Sequence, residues 1–538
     1  MKLFLPSFLK GILLVGLLTI FALAGHTQNG NTVKPETVDS WLIQIENIEQ
    51  NAEIFLTDKQ QLSQLQEKLQ KLIVEIENYK QELLPRQTEL QSQIDKLGPA
   101  PTKDGPPEAD AIIEERTRLD RDFNKVDAAI KRAGVATTKA NQLISRIQNL
   151  RREVFARQLF SRQTLIYKPE VWTGLGQDLS DSSKQMAGIF NEWQLQAAPL
   201  SRVINLVAGL FLFFIFLCFV CNRLIQKFRR PPADDEPMFF HQAVSAVTVS
   251  LLRMVPGFVF LGGLYAGLFL LDAMTGHMSR LLGALIFFLG LVIVVASLSK
   301  SILAPTRPIW RMLPIIDKDA QRLVMLITGL AFVYALNRFG VVVVKLINAS
   351  SAIGLLISLI TLVLFTVLLV KILRISLGVK SEGIEDQPSH VLWPTWLKLP
   401  LWVVCFALIF AIPLGFLSFA EFLAGQVVLT GAIVLTAVLI HFAITELKSD
   451  IVDDRSNLGR WMGQQLLISS DGRSKISFAV GLTLNLLLLM IALPLVMLNW
   501  GFGSADISSW MSTVFYGFEI GSIRFSLASI LIAVTLFS

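Results

Sequence analysis

Hydrophobic positions along this chain fall into two regimes. Up to Arg202, apolar residues recur at spacings of three and four among Gln, Glu, Lys and Arg. From Val203 onward they come in long runs separated by short loops. The divide is Val203–Cys221, VINLVAGLFLFFIFLCFVC. These are about nineteen uncharged residues, enough to cross a hydrocarbon core about 30 Å thick. Arg223, Lys227, Arg229 and Arg230 follow at once, as expected at the cytoplasmic end of a spanning helix. The pattern predicts an all-α protein: a soluble helical region outside the cytoplasm, then a polytopic membrane region.

Within the first regime, residues 1–24 read as a secretory signal. Lys2 and Lys10 make a basic start, Gly11–Leu23 a short apolar core, and Ala22-Leu23-Ala24 a cleavage signature. An uncleaved anchor is the rival reading, and both place Gly25 outside the cytoplasm. Leu62, Leu65, Leu69, Leu72, Ile76, Tyr79 and Leu83 form a heptad seam of apolar positions. Pro85 is expected to interrupt or kink it, and Leu90, Ile94 and Leu97 continue it. Gly98-Pro99-Ala100-Pro101 and Asp104-Gly105-Pro106-Pro107 break the helix. A second seam follows through Leu119, Phe123, Val126, Ile130, Ala133, Thr137, Ala140, Ile144 and Ile147. Two seams joined by a Pro/Gly loop predict an antiparallel helical hairpin, because each apolar stripe needs a partner. Beyond the punctuation at Pro169, Gly174 and Gly176, Asp178–Ala197 reads as an amphipathic helix. Leu179, Met186, Ile189, Phe190 and Trp193 are its apolar face, and Trp193 and Arg202 are anchors at the outer interface.

The second regime predicts spans near 203–221, 250–271, 281–299, 323–340, 352–371, 399–420, 427–445 and 476–498, with a ninth beginning near Leu527 and cut off at Ser538. Val341–Ile347 either extends the fourth or re-enters. Alternate loops are basic: Arg223 to Arg230, Lys300 to Arg322, Lys371 to Lys398, and Lys448 to Lys475. The other loops carry only Arg280, Arg338, Lys345 and Arg524. That alternation orients every crossing. It divides the chain into a signal (1–24), a periplasmic coiled-coil domain (25–202) and a membrane domain (203–538).

Composition agrees: 53% of residues are hydrophobic and 17% charged. The net charge of +6 resides mostly in those loops, so topology accounts for it and no nucleic-acid partner is implied. Cys218, Cys221 and Cys405 sit inside apolar runs and read as small apolar side chains, not as a disulfide framework or a redox pair. His26, His241, His277, His390 and His441 lack metal-ligand spacing. No phosphate-binding loop, nucleophile elbow or zinc motif occurs, so no catalytic, cofactor or metal residue is assigned and no enzyme is expected. Asp272 and Glu421 are placed at helix ends, away from the midplane, which disfavours an ion-coupled transporter. Arg253 reads as a cation snorkelling to the cytoplasmic face, and His441 as polar packing. Gly257, Gly262, Gly263 and Gly267 read as a close-packing stripe. Trp310, Trp393, Trp396, Trp402, Trp461, Trp500 and Trp510 read as interfacial belts.

Leu97-Gly98-Pro99-Ala100-Pro101, then Pro106-Pro107-Glu108, and the run Arg146-Ile147-Gln148-Asn149-Leu150-Arg151-Arg152-Glu153-Val154-Phe155-Ala156-Arg157-Gln158-Leu159-Phe160 carry a resemblance. They are similar to an uncharacterised periplasmic domain at the front of large proteins of the small-conductance mechanosensitive channel (MscS) family. Ile520–Leu527 resembles the lead into that family's channel module. The resemblance implies tension sensing in osmotic stress, a bacterial inner-membrane location and a homo-oligomer. In the family a Gly/Ala-rich pore helix and a cytoplasmic domain follow, and no position here matches them. Residues 1–538 alone are expected to conduct nothing. The accessory helices are expected to feel bilayer tension while the coiled coil meets neighbouring subunits or an envelope partner. A non-channel membrane scaffold with a coiled-coil head is the alternative, and a transporter the third reading.

Overall fold

The structure, a computed structural model, describes residues 35–54, 59–98, 109–163, 167, 169–196, 200–228, 239–274, 276–307, 315–375, 377–379, 389–391, 395–453, 456–465, 469–520, 523–526 and 529. The signal at 1–24, the Pro99–Pro107 break, Arg229, Arg230, Trp310, Trp393 and the ninth span from Leu527 lie outside the described residues. The chain forms two compact units, Met1–Arg152 and Glu153–Ser538.

In the first unit, α1 (Pro35–Ile54), α2 (Lys59–Lys96) and α3 (Asp110–Leu159) are long helices. The α2 seam is buried as its spacing predicts, with Leu62, Leu69 and Ile76 at 0% exposure. On α3 the heptad positions Leu119, Val126, Ala133, Ala140 and Ile147 are buried. The deep positions between them are Ala129, Ala136 and Leu143, one residue before the expected Ile130, Thr137 and Ile144. The reason is a third arm: Val38, Trp41, Ile45 and Ala52 of α1 share the core with the α2 and α3 seams. Its contact rotates the buried face, and alanines at the deep positions allow the approach. The helix runs on through Pro85. Pro85 and Gln81, whose carbonyl loses its partner, both lie on the exposed face, where water can satisfy it. Gly98 (φ +74°) ends α2, and Arg116 of α3 donates to the Leu97 and Gly98 carbonyls at 3.3 and 3.0 Å. Inside the seam Arg151 donates to Gln66 Oε1 at 2.5 Å, both buried. On the surface, Lys71 holds the Glu67 carboxyl below the usual carboxylate range through a hydrogen bond and its charge.

The second unit continues with α4 (Pro169–Thr173), α5 (Leu175–Gln196), α6 (Leu200–Phe228), α7 (Phe239–Leu270), α8 (Gly276–Ile302), α9 (Asp317–Leu346) and α10 (Ser351–Arg374). After the hairpin β1 (Leu377–Val379) and β2 (Ser389–Val391) come α11 (Thr395–Leu414), α12 (Leu417–Gly425), a π-helical turn (Gln426–Thr430), α13 (Gly431–Val452), α14 (Asn457–Gln465), α15 (Ser470–Asn499) and α16 (Ser504–Tyr516). A second antiparallel hairpin, β3 (Phe518–Ile520) with β4 (Ile523–Phe525), follows. The fold class is all-α, with four three-residue strands in connections.

Among the described residues, seven helices are long and apolar enough to cross a membrane: α6, α7, α8, α9, α10, the continuous 417–452 helix and α15. α11 is a shorter apolar helix. The first eight expected spans thus each have a helix, but the boundary between the sixth and seventh moves. The chain turns at Gly415–Phe416, and residues 421–426, expected as a loop, are helical. α9 takes in Val341–Leu346, as the extended alternative allowed. Consecutive helices from α6 to α11 pack on one another, and α13 packs on α7, α8 and α15. The core gathers α9, α10, α11 and α12 around Leu323, Phe365, Leu369, Cys405, Leu408 and Ala420. Gly263 and Gly267 of α7 meet Leu210 and Leu206 of α6, and Gly257 meets Ile293 of α8, whereas Gly262 faces open space. The glycine stripe is therefore a packing face at three of its four positions.

The four helices α7, α9, α11 and α15 end alike. Asp272, Asn348, Gly415 and Gly501 take left-handed backbone. The amide that follows each reaches five residues back, as in Phe416 N to Ala411 O at 2.9 Å and Phe502 N to Met497 O at 3.1 Å. These motifs satisfy terminal carbonyls that a membrane would otherwise leave unpaired. They lie at the end of the unit away from the basic loops, here called the far end.

Candidate functional site

Polar side chains within apolar helices mark where such a protein does more than span. The densest group here forms where α9, α10 and the 417–452 helix meet. Glu421 lies in the second turn of α12, inside the continuous helix rather than at its end. Its Oε1 accepts a 2.6 Å hydrogen bond from Ser358 Oγ of α10. Ser358 Oγ is also 3.5 Å from Asn337 Oδ1 of α9. Asn337 and Ser358 are buried. At 1.5 Å per residue, Ser358 lies about 10 Å from the start of its helix, within the apolar length of the bundle. One serine hydroxyl thus stands between a carboxyl and a side-chain amide. Tyr334, one turn before Asn337, packs on the same helix. Its Oη lies 3.0 Å from where a Cβ on Gly425 would sit, so glycine is what admits the ring.

One turn along, the π-helical turn carries a second network. Gln426 Nε2 donates to the Asn499 carbonyl (3.0 Å), and Asn499 Nδ2 donates to Gln426 Oε1 (2.8 Å) and Thr430 Oγ1 (3.0 Å). Thr430 Oγ1 donates to Gln426 Oε1 at 3.0 Å. Four residues apart, Gln426 and Thr430 share one helix face, and both meet Asn499 of α15. The end of α15 is thereby tied to the helix that carries Glu421.

The opposite face of α12 receives the tail of α3. Phe155 meets Phe422 edge-on with centroids 5.5 Å apart, Phe160 stacks on Phe419 at 5.4 Å, and Phe422 also meets Trp500. Arg162 Nε donates to the Leu414 carbonyl at 3.0 Å, and Gln163 N to the Gly415 carbonyl at 2.9 Å. The left-handed Gly415 (φ +86°) leaves room for this. A Cβ there would lie 3.0 Å from the Gln163 carbonyl oxygen and would be strained in any case.

Other residues singled out in the sequence fall elsewhere. Trp193 is buried as an anchor, its Nε1 donating to the Ala273 carbonyl at 2.8 Å. Leu179 and Phe190, on the same predicted face, are exposed. His441 Nδ1 lies 2.7 Å from Asn485 Oδ1, a polar contact between α13 and α15. Arg253 is half-buried rather than extended to solvent, and its Nη1 has no hydrogen-bond partner among the described residues. Asn337 interrupts the fourth span in the sequence, but Ser358, Gln426 and Asn499 carry no such signal, because single neutral polar residues barely lower the hydropathy of a span. Among the described residues no group of three or more His, Cys, Asp or Glu could hold a metal.

These helices and their buried polar contacts define a multi-pass, all-α membrane protein, whose first compact unit is built from three long helices. A family described as "Protein of unknown function (DUF3772)" matches residues 130–192, from the middle of α3 to the last turn of α5. The match covers the run Arg146–Phe160. No curated protein and no solved structure matches the chain.

Proposed function

We propose that this chain is the accessory, tension-sensing region of an MscS-like mechanosensitive channel in a bacterial inner membrane. Residues 25–202 then face the periplasm, with homo-oligomeric neighbours or an envelope partner on the coiled coil. No catalytic step belongs to this reading. The observation that carries it is the gradient of burial across the spans. In their most apolar windows, 39% of residues are buried in α10 and 33% in α9, against 11% in α15 and 6% in α6. The outer helices therefore present nearly their whole circumference to lipid, while the inner ones form a firm core. Such a body has a large lipid-facing perimeter, which lateral tension needs if it is to favour one arrangement over another.

The test uses the chain in nanodiscs, with Cys218 and Cys221 replaced by alanine and spin labels at Leu212→Cys on α6 and Leu487→Cys on α15. Both positions are exposed. Adding a lysolipid, which mimics tension, is expected to shift the label-to-label distance by about 5 Å, the scale of helix shifts in switching proteins. Superimposable distance distributions with and without lysolipid would refute tension sensing and favour the membrane scaffold. A second reading, a proton- or ion-responsive membrane protein, is favoured by Glu421 against Ser358. The two readings combine if the carboxyl sets the resting arrangement.

A further inference from the structure

Arg280, Arg338 and Lys345, which the sequence pattern assigns to loops without basic clusters, lie in helices α8 and α9 and converge. Arg280 and Ala284, with Phe287 one turn further, line one face of α8. Arg338, Phe339, Val342, Lys345 and Leu346 line α9 opposite. Together they enclose a cleft of ≈ 490 Å³ at the far end. Its lining combines three cations with apolar side chains and holds no acidic residue. Arg280, Arg338 and Lys345 are all exposed. None has a hydrogen-bond or ion-pair partner among the described residues, whereas cations of the first unit such as Arg146 and Lys71 are paired. Along the helices, Arg280 lies one turn from the start of α8 and Lys345 at the last turn of α9, with Arg338 about 12 Å from that end. The three cations are thus spread along about three turns at the far end of α8 and α9.

Three unpaired cations focused on one concavity repel one another unless an anion neutralises them. The apolar part of the lining disfavours a purely soluble anion, and Phe287 within it is 43% exposed. Phe332 and Leu336 of α9 are exposed as well. We propose that it binds the phosphate of an anionic phospholipid, with Arg280, Arg338 and Lys345 around the headgroup and an acyl chain along Phe287, Phe339 and Val342. The cleft would make the α8–α9 pair sensitive to lipid composition. This site stands apart from the tension-sensing reading, and either can fail without the other.

The test uses the whole chain in nanodiscs of phosphatidylcholine doped with phosphatidylglycerol, the retained lipids being counted by native mass spectrometry after extraction. The wild type is expected to retain phosphatidylglycerol at least tenfold over phosphatidylcholine, since each nearby cation contributes several-fold. Arg280→Gln/Arg338→Gln/Lys345→Gln is expected to abolish that preference. The charge-keeping Arg280→Lys/Arg338→Lys retains most of it and controls for folding. Arg223→Gln/Lys227→Gln, at the opposite end, is expected to leave it unchanged. Equal loss in that control variant would mean diffuse surface attraction and overturn the site. Full displacement of the lipid by millimolar inorganic phosphate would overturn the lipid assignment, and retention in the triple Gln variant would overturn both.

Discussion

Replacing Leu69 and Leu72 by aspartate tests the three-helix unit most sharply. Leu69 is 0% and Leu72 5% exposed, inside the cluster that joins α1, α2 and α3. Removing a fully buried leucine side chain costs about 3–5 kcal/mol through lost burial and the cavity left behind. Aspartate adds the penalty of a carboxylate with no partner, several kcal/mol more. The two sites are one turn apart and will not add fully. Even discounted, the pair reaches the ~5–15 kcal/mol that holds a whole domain folded. Val74, two residues on, looks equally apolar in the sequence but is 60% exposed, so Val74→Asp should change stability by no more than about 0.5 kcal/mol. Hydrogen exchange, read peptide by peptide in the intact detergent-solubilised chain, makes the comparison, with α9 and α10 as an internal reference. Leu69→Asp/Leu72→Asp is expected to strip protection from α1, α2 and α3 together while α9 and α10 keep theirs. Unchanged protection in the double variant, or equal loss in Val74→Asp, would show that the seam is not the core.

Two further outcomes follow from the membrane unit. Gly267→Leu places a branched side chain where a single Cβ already lies 2.5 Å from Leu206; it should cost about 1–3 kcal/mol and lower the melting temperature, whereas Gly262→Leu should not. Ser358→Ala leaves the Glu421 carboxyl without its 2.6 Å donor; it should destabilise the chain by about 1–3 kcal/mol, and an unchanged thermal unfolding midpoint would count against the contact.

The sequence announced its helices but not all of their partners. The α2 seam was legible because Leu62, Leu69 and Ile76 recur in a polar background. The one-residue rotation on α3 was not, because it depends on α1, whose Val38, Trp41 and Ile45 are too few to show a seam. In the membrane, charge located the loops wherever charge was present. Residues 399–445 carry one charged residue, Glu421, and the hydropathy pattern puts it at a helix end, between the spans 399–420 and 427–445. The true turn is uncharged and written in backbone terms: Gly415 in left-handed conformation, following Pro413. Moving the turn moved Glu421 into a helix, and with it the only carboxyl that reaches Ser358. The cleft was half legible, since its three cations stood out as exceptions to the loop pattern. Nothing in the spacing of Arg280 against Arg338 and Lys345 showed that they meet.

The Gly415 turn also bears on how the protein is made. Its two outermost carbonyls, Leu414 and Gly415, are satisfied by Arg162 and Gln163, across a separation of 252 residues for the Arg162 contact. During synthesis the acceptors do not exist until long after the donors have emerged. The donors must then be held near the membrane surface through the insertion of five intervening spans. Closure over such a length is slow and comes late. Until it occurs, the end of α11 carries unpaired carbonyls that water must reach, so α11 cannot settle to its final depth. The docking of Phe155–Gln163 onto this turn is therefore a late step of assembly, which waits for the whole chain up to Gly415.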